Sequence, residues 1–148
     1  MKLSVGEKAP AFSAKDQKGK THRLADYKGE WLLIYFYPRD FTSGCTREAC
    51  EFRDNFEQLK KKVNIVGVSA DSQESHAKFA AKHDLPFTLL ADKKRQIISA
   101  YGAKVGIFTR RFSYLIGPEG RIAKIYRSVN PKIHAKQILK DLETFHSP

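Results

Sequence analysis

The sequence predicts one α/β domain: a mixed central sheet flanked by helices, preceded by an N-terminal β-hairpin. Three features carry that expectation. The run "WLLIYFYP" is apolar and aromatic without alternation, as in a strand covered on both faces. Strand-like and helix-like stretches then follow one another in turn, which implies parallel strands with helical crossovers. A late pair of strand signals about "PEG" adds an antiparallel part. With 148 residues, the chain is of ordinary single-domain length and buries a core without staples.

In order, "PAFSAKDQKGKTHRLADY" holds a "QKGK" turn between two short segments, a hairpin signal. "WLLIYFYP" is the first central strand, and Pro38 ends it. "CTREACEFRDNFEQLKKK" places Ala49, Phe52, Phe56 and Leu59 on one helical face and ends in a cationic turn. "VNIVGVSA" reads as a second buried strand. Asp71 stands as N-cap of the next helix, with Glu74 completing a capping box, and that helix stops before Pro86. "FTLLAD" is a short strand and "KRQIISAYG" a short helix closed by Gly102. "RRFSYLIGPEGRIAKIY" forms the late hairpin, and "PKIHAKQILKDLETF" an amphipathic helix opened by Pro131. This order resembles a thioredoxin-like fold.

The net charge of +11, from 27 basic and 16 acidic residues, raises the question of nucleic acid or an anionic membrane. The basic residues, however, form separate short clusters, "KKK", "KKR" and "RR", with acidic residues between them. No basic tail, RNA-binding aromatic motif, zinc-ligand pairing or phosphate loop accompanies them, so the expectation is solvated surface charge, with no nucleic-acid or membrane partner. The longest apolar run falls far short of the roughly 20 residues of a membrane helix. With two cysteines and no apolar leader segment, the expected setting is the reducing cytoplasm. The five histidines show no ligand spacing with the cysteines and are expected at the surface.

Both cysteines lie in "YPRDFTSGCTREAC". Cys45 falls where the first central strand turns into its helix, at the carboxyl end of the sheet where reactive groups of α/β folds gather. "TSG" supplies cap and bend, placing Cys45 in the first helical turn. A free thiol titrates near 8.5, so only a few per cent is thiolate at neutral pH. A helix terminus contributes about 0.3 to 1 kcal/mol toward the thiolate, so activation requires a cation nearby. Cys50 follows five positions later; on an ideal helix that separates the Cα atoms by roughly 8 to 9 Å. A disulfide needs about 7 Å or less. Either the two never pair, or pairing unwinds a turn, which would suit an attacking thiol followed by a resolving thiol.

"PRDFTSGC" fits the Pro-x-x-x-Thr-x-x-Cys pattern of the peroxiredoxins, and "FYPRDFTSGCTREACEFRD" resembles their Q-type subgroup, the bacterioferritin comigratory proteins. The likeness extends through "VGEKAPAFSAKDQKGK", "VGVSADSQESHAKFAAKHDLPFTLLAD" and "RRFSYLIGPEGRIAKIY". It implies reduction of hydrogen peroxide or an organic hydroperoxide without metal, flavin or haem. Cys45 would be the peroxidatic residue and Cys50 the resolving one, joined in an intrachain disulfide and recycled by thioredoxin or a similar dithiol. Thr42 would orient thiolate and peroxide, Pro38 would shield the pocket from water, and Arg111 would be the cation over the sulfur. Arg110 is the rival for that last role, since neighbours in a strand face opposite ways. An intrachain resolving cysteine implies a monomer, and the positive field would steer an acidic reductant.

The chain departs from the family pattern at Ser43, where a proline is common, and at Phe41, where an acidic or amide residue is common. Ser43 frees a φ angle beside the reactive turn. Phe41 is expected to make the pocket mouth more apolar and to favour organic hydroperoxides. Gly117 replaces an aspartate and bears only on turn chemistry. The alternatives are a one-cysteine peroxiredoxin with Cys50 inert, a general thiol-disulfide oxidoreductase, against which the absence of Cys-x-x-Cys counts, and a binding role for the basic surface.

Overall fold

In the computed structural model, which describes residues 2–146, the hairpin forms first. Strands β1 (Ser13–Lys15) and β2 (Thr21–Arg23) pair antiparallel around a turn in which Gly19 takes a φ of +86°. The main sheet is built from β3 (Leu32–Phe36), β4 (Asn64–Ser69), β5 (Thr88–Ala91), β8 (Ser113–Ile116) and β9 (Ile122–Tyr126). Its five strands run in the order β5-β4-β3-β8-β9. Parallel pairing joins β3 to β4 and β4 to β5, and antiparallel pairing joins β3 to β8 and β8 to β9.

All five residues of β3 are buried, and the reason is its position between two helical layers. Leu33, Tyr35 and Tyr37 point into one core with Cys45, Ala49 and Phe52. Leu32, Ile34 and Phe36 point into a second core with Ile97, Ile98 and Tyr101. Alternation still operates, but both faces are apolar. The first core lies under α1 (Ser43–Asp54) and α5 (His134–His146), the second under α4 (Gln96–Ala100). The helix α3 (Gln73–His83) forms the crossover from β4 to β5, with Phe79 fully buried in the first core.

The structure corrects several local expectations. The helix after Cys45 is not continuous: Asn55 breaks it, its side chain donating to the Glu51 carbonyl at 2.8 Å, and a short α2 (Phe56–Leu59) follows. Ser72, not Asp71, caps α3, its hydroxyl accepting from the Ser75 amide at 3.1 Å. Asp71 instead turns inward and accepts from the Asp40 amide and the Ser69 hydroxyl. The last helix begins at His134 rather than Pro131, after turns in which the Asn130 carbonyl accepts from Ile133 and His134. Arg110 and Arg111 precede β8 rather than lying in it, because the Phe112 amide bonds back to the Arg110 carbonyl. Two histidines are not at the surface: His76 and His134 are fully buried and hydrogen-bonded at both ring nitrogens. A two-residue hairpin, β6 (Lys104–Val105) with β7 (Phe108–Thr109), carries too few residues to register as a strand pattern.

Gly67 in β4 pairs with Tyr35 and gives its ring room, since a Cβ at that position would lie 2.8 Å from Tyr35 Cζ and 2.9 Å from Leu89 Cδ2. Gly67→Ala is expected to cost about 1 to 3 kcal/mol through overpacking. Urea unfolding checks this, and a midpoint equal to wild type would refute the close approach.

Candidate active site

The chain leaves β3 at Phe36, passes through segment 37–42, and enters α1 with Thr42 as the N-cap residue. Thr42 has the extended backbone of an N-cap, but its side chain does not cap the helix; the hydroxyl donates to the Arg39 carbonyl at 2.8 Å. Cys45 lies in the first turn and is 2 % exposed, pressed into the same core as Tyr35 and Phe52. Pro38 and Thr42 are exposed at the rim.

Arg111 reaches the sulfur, its Nη2 donating to Cys45 Sγ at 3.4 Å. Its Nη1 donates to Glu48 Oε1 at 2.7 Å. Burial would lower the Arg111 pKa, but the Glu48 and Cys45 side chains outweigh it and raise it. Arg110 is exposed, with its guanidinium 5.8 Å from the centre of the Phe112 ring, and lines a different cavity with Lys104 and Tyr114. Gly44 makes the approach possible: a Cβ there would stand 3.1 Å from Arg111 Nη2.

Glu48 and Gly44 were not singled out in the sequence, although a residue three positions after Cys45 shares its helix face. Glu48 is 1 % exposed, and its Oε2 has no hydrogen-bond partner among the described residues. The buried Tyr35 hydroxyl also has no hydrogen-bond partner among the described residues. Cys50 is half-buried on α1, five residues beyond Cys45, and lines an open groove with Gly44, Arg47 and Pro131. Both thiols are free. Because α1 runs unbroken from Ser43 to Asp54, a bond between them requires the helix to unwind.

Phe41 has a φ of 66°, the left-handed region that Asn and Asp tolerate better than a bulky side chain. Its ring rests edge-on against Phe79 at 5.1 Å, with Lys82 Nζ 5.9 Å from the ring centre. Asp40, Asp71 and His76 bring possible metal ligands within 4.8 Å of one another, but each of these groups is already engaged in hydrogen bonds. Among the described residues no helix is long and apolar enough to cross a membrane.

A buried thiol in the first turn of a helix, a guanidinium on its sulfur and a thioredoxin-type sheet behind it define a thiol-dependent peroxidase. The comparisons agree. Residues 5–125 match the model of the AhpC/TSA family. The chain is 41 % identical to Peroxiredoxin Bcp of Bacillus subtilis over 97 % of both chains. It is 40 % identical to the chloroplastic Peroxiredoxin Q of Populus jackii, over 97 % of this chain and 70 % of that one. The crystal structure of peroxidoxin BcpB from Mycobacterium tuberculosis superposes with a TM-score of 0.92 at 27 % identity, covering 98 % of this chain and 99 % of that one. A bacterioferritin comigratory protein of Xanthomonas campestris, whose trapped-intermediate and ligand complexes concern alkyl peroxide reduction, superposes at 0.91 with 29 % identity, covering 97 % of this chain and all of that one, 100 %. The chain belongs to the AhpC/TSA family and, within it, to the Q-type peroxiredoxins.

Two buried groups around the site titrate in opposite senses. Burial pushes Glu48 up from 4.5 to about 7, against the charge and hydrogen bond of Arg111. Burial pushes His134 down from 6.5 to about 4, against a hydrogen bond from its Nδ1 to Gln137 Oε1 and the charge of Asp141. The raised carboxyl contributes stability that is complete below pH 4.5 and lost as the pH rises to about 7. The depressed imidazole contributes stability that is complete above pH 6.5 and lost as the pH falls to about 4. Each contribution is about 3 kcal/mol, so between pH 4.5 and 6.5 the two nearly cancel. In Glu48→Gln only the histidine slope remains, and the difference in unfolding free energy, variant minus wild type, is expected to rise with pH across that window. Urea titrations at three pH values read the difference; parallel profiles would remove the carboxyl from this role.

Proposed function

We propose that Cys45 is the peroxidatic cysteine, that Cys50 resolves it within the same chain, and that thioredoxin or a similar dithiol recycles the disulfide. The observation that carries this reading is the Arg111 Nη2 donor 3.4 Å from the buried Cys45 sulfur at the start of α1. A positive charge with a directed N–H at that position stabilises negative charge on sulfur and on the oxygen it attacks. The Cys45 thiolate attacks the terminal peroxide oxygen. The O–O bond breaks, the departing oxygen takes a proton and leaves as water or an alcohol, and Cys45 becomes a sulfenic acid. After the first turns of α1 unwind, the Cys50 thiolate attacks that sulfur, forms the S–S bond and releases water.

Thr42, its hydroxyl held by the Arg39 carbonyl, keeps oxygen lone pairs free for a peroxide O–H. Pro38 forms the rim that limits water. The substrates are hydrogen peroxide and organic hydroperoxides, with Phe41 adding apolar surface to segment 37–42. An intrachain disulfide needs no second subunit, so the working unit is a monomer.

Addition of one equivalent of peroxide to the reduced protein is expected to remove both free thiols and lower the intact mass by two hydrogens. In a coupled assay with thioredoxin and its reductase, Cys45→Ser should abolish turnover, while Cys50→Ser should keep one peroxide reduction and lose thioredoxin-linked cycling. Arg111→Ala should lower kcat/KM by about a hundredfold or more, with Arg110→Ala near wild type. Cycling retained in Cys50→Ser would point to an external resolving thiol instead. Activity lost in Arg110→Ala alone would reassign the cation.

A further inference from the structure

Beneath the segment that carries Pro38 and Thr42 lies a closed set of polar side chains that the peroxide reaction leaves unused. Asp40 is 4 % exposed and His76 is 0 % exposed. Asp40 Oδ2 is 2.7 Å from His76 Nδ1 and accepts from the Ser75 hydroxyl at 2.8 Å. Asp40 Oδ1 accepts from the Tyr37 hydroxyl at 2.6 Å. On the other side of the ring, His76 Nε2 is 2.9 Å from the Leu90 carbonyl oxygen in β5. The Asp40 amide donates to Asp71 Oδ2 at 2.8 Å.

These contacts fix a proton count. A carbonyl oxygen only accepts, so Nε2 carries a hydrogen, and a neutral ring would then present a bare lone pair at Nδ1. That nitrogen stands 2.7 Å from a carboxylate oxygen. The Tyr37 hydroxyl stands 3.4 Å from Nδ1 but donates at 2.6 Å to Asp40 Oδ1, and the Ser75 hydroxyl donates to Oδ2, so neither hydrogen fills the 2.7 Å contact. The contact therefore holds a proton of its own, placed on Nδ1 by the two hydroxyls that donate to Asp40. Loss of that proton would set two lone pairs against each other away from water and leave the Asp40 charge without its partner.

We propose that Asp40 and His76 form a hydrogen-bonded pin: positioning residues that hold segment 37–42, and with it the first turn of α1, in the conformation that presents Cys45 to peroxide. The inference rests on the reading of Cys45 as the attacking thiol. The pinned segment includes Phe41 at a φ of 66°, a conformation that surrounding contacts must hold in place. The titratable groups facing the pair are Tyr37 from the end of β3 and Asp71 from the turn before α3. From α3 comes the Ser75 hydroxyl, and from β5 only a carbonyl. Burial holds the Tyr37 hydroxyl well above its ordinary value, so it stays a donor. Among the described residues no cation hydrogen-bonds to Asp40 or His76 besides this shared proton.

Asp40→Asn separates the pin from its proton. The amide oxygen takes the place of Oδ1 and accepts from the Tyr37 hydroxyl, while the NH2 group takes the place of Oδ2 and donates to a bare Nδ1 and to the Ser75 oxygen, so the tether persists without the shared proton. In the wild-type protein, 15N spectra at neutral pH should show both nitrogens of His76 protonated. Asp40→Asn should show one bare nitrogen. Asp40→Asn should keep more of the kcat/KM for peroxide than Asp40→Ala, which has no tether. His76→Phe, checked for native helical content, should lose about tenfold to a hundredfold in kcat/KM. A bare Nδ1 in wild type, or equal losses of kcat/KM in Asp40→Asn and Asp40→Ala, would overturn the pin. Turnover surviving in Cys45→Ser would instead overturn the assignment of the thiol, and the His76 spectrum, which does not depend on activity, tells the two failures apart.

Discussion

The site depends on one half-buried cation. Arg111 spans from the Glu48 carboxyl at 2.7 Å to the Cys45 sulfur at 3.4 Å, tying the chain just before β8 to the first turns of α1. Neither partner would be tolerated in that core alone, since a buried carboxylate or thiolate without a counter-charge loses its hydration and gains nothing. The guanidinium serves both because its planar fork presents separate donors. Glu48 in turn keeps the fork from swinging toward solvent, and Gly44 leaves the space through which Nη2 approaches. The geometry of attack is therefore a consequence of a charge balance, and each of its members is fixed by the others.

That balance sits on a strand with two cores. Because β3 buries Leu33, Tyr35 and Tyr37 on one side and Leu32, Ile34 and Phe36 on the other, its register cannot slip without exposing both sets. The strand end, and with it the start of segment 37–42, is a rigid origin. Past Thr42 the rigidity is conditional. The first turn of α1 is held by the burial of Cys45 and the Arg111 contact more than by a side-chain cap, which Thr42 does not supply. Loss of charge from the sulfur would weaken that contact, and with it the hold on the first turn.

The parts legible in the sequence were the local ones. Continuous apolarity marked β3, the spacing of Ala49, Phe52 and Leu59 marked the buried face shared by α1 and α2, and the motif around Cys45 marked the candidate site. What escaped was nonlocal. The Asp40–His76 contact spans 36 residues and the Arg111–Glu48 contact 63, and no periodicity encodes either. Asp71 and Ser72 illustrate the same limit: both are good caps in isolation, and the choice of Ser72 follows from the distant amide of Asp40, which claims the Asp71 carboxylate. The histidines were misplaced for the same reason, since burial with both nitrogens satisfied leaves no trace in local spacing.

The departures at positions 41 and 43 acquire a physical meaning from this arrangement. A proline at 43 would fix one φ, and an amide or carboxylate at 41 would ease the left-handed turn, so the family pattern rigidifies this loop through its own residues. Here Ser43 leaves that φ free and Phe41 adopts a φ of 66°. Rigidity must then come from outside: the Phe41 ring against Phe79, the Asp40 amide on Asp71, and the Asp40 carboxylate among Tyr37, Ser75 and His76. Apart from Tyr37, these anchors come from α3 and the turn before it, whereas both cysteines lie on α1. Segment 37–42 is therefore held from the α3 side, independently of the helix that follows it, and the anchored part of the chain ends where α1 begins.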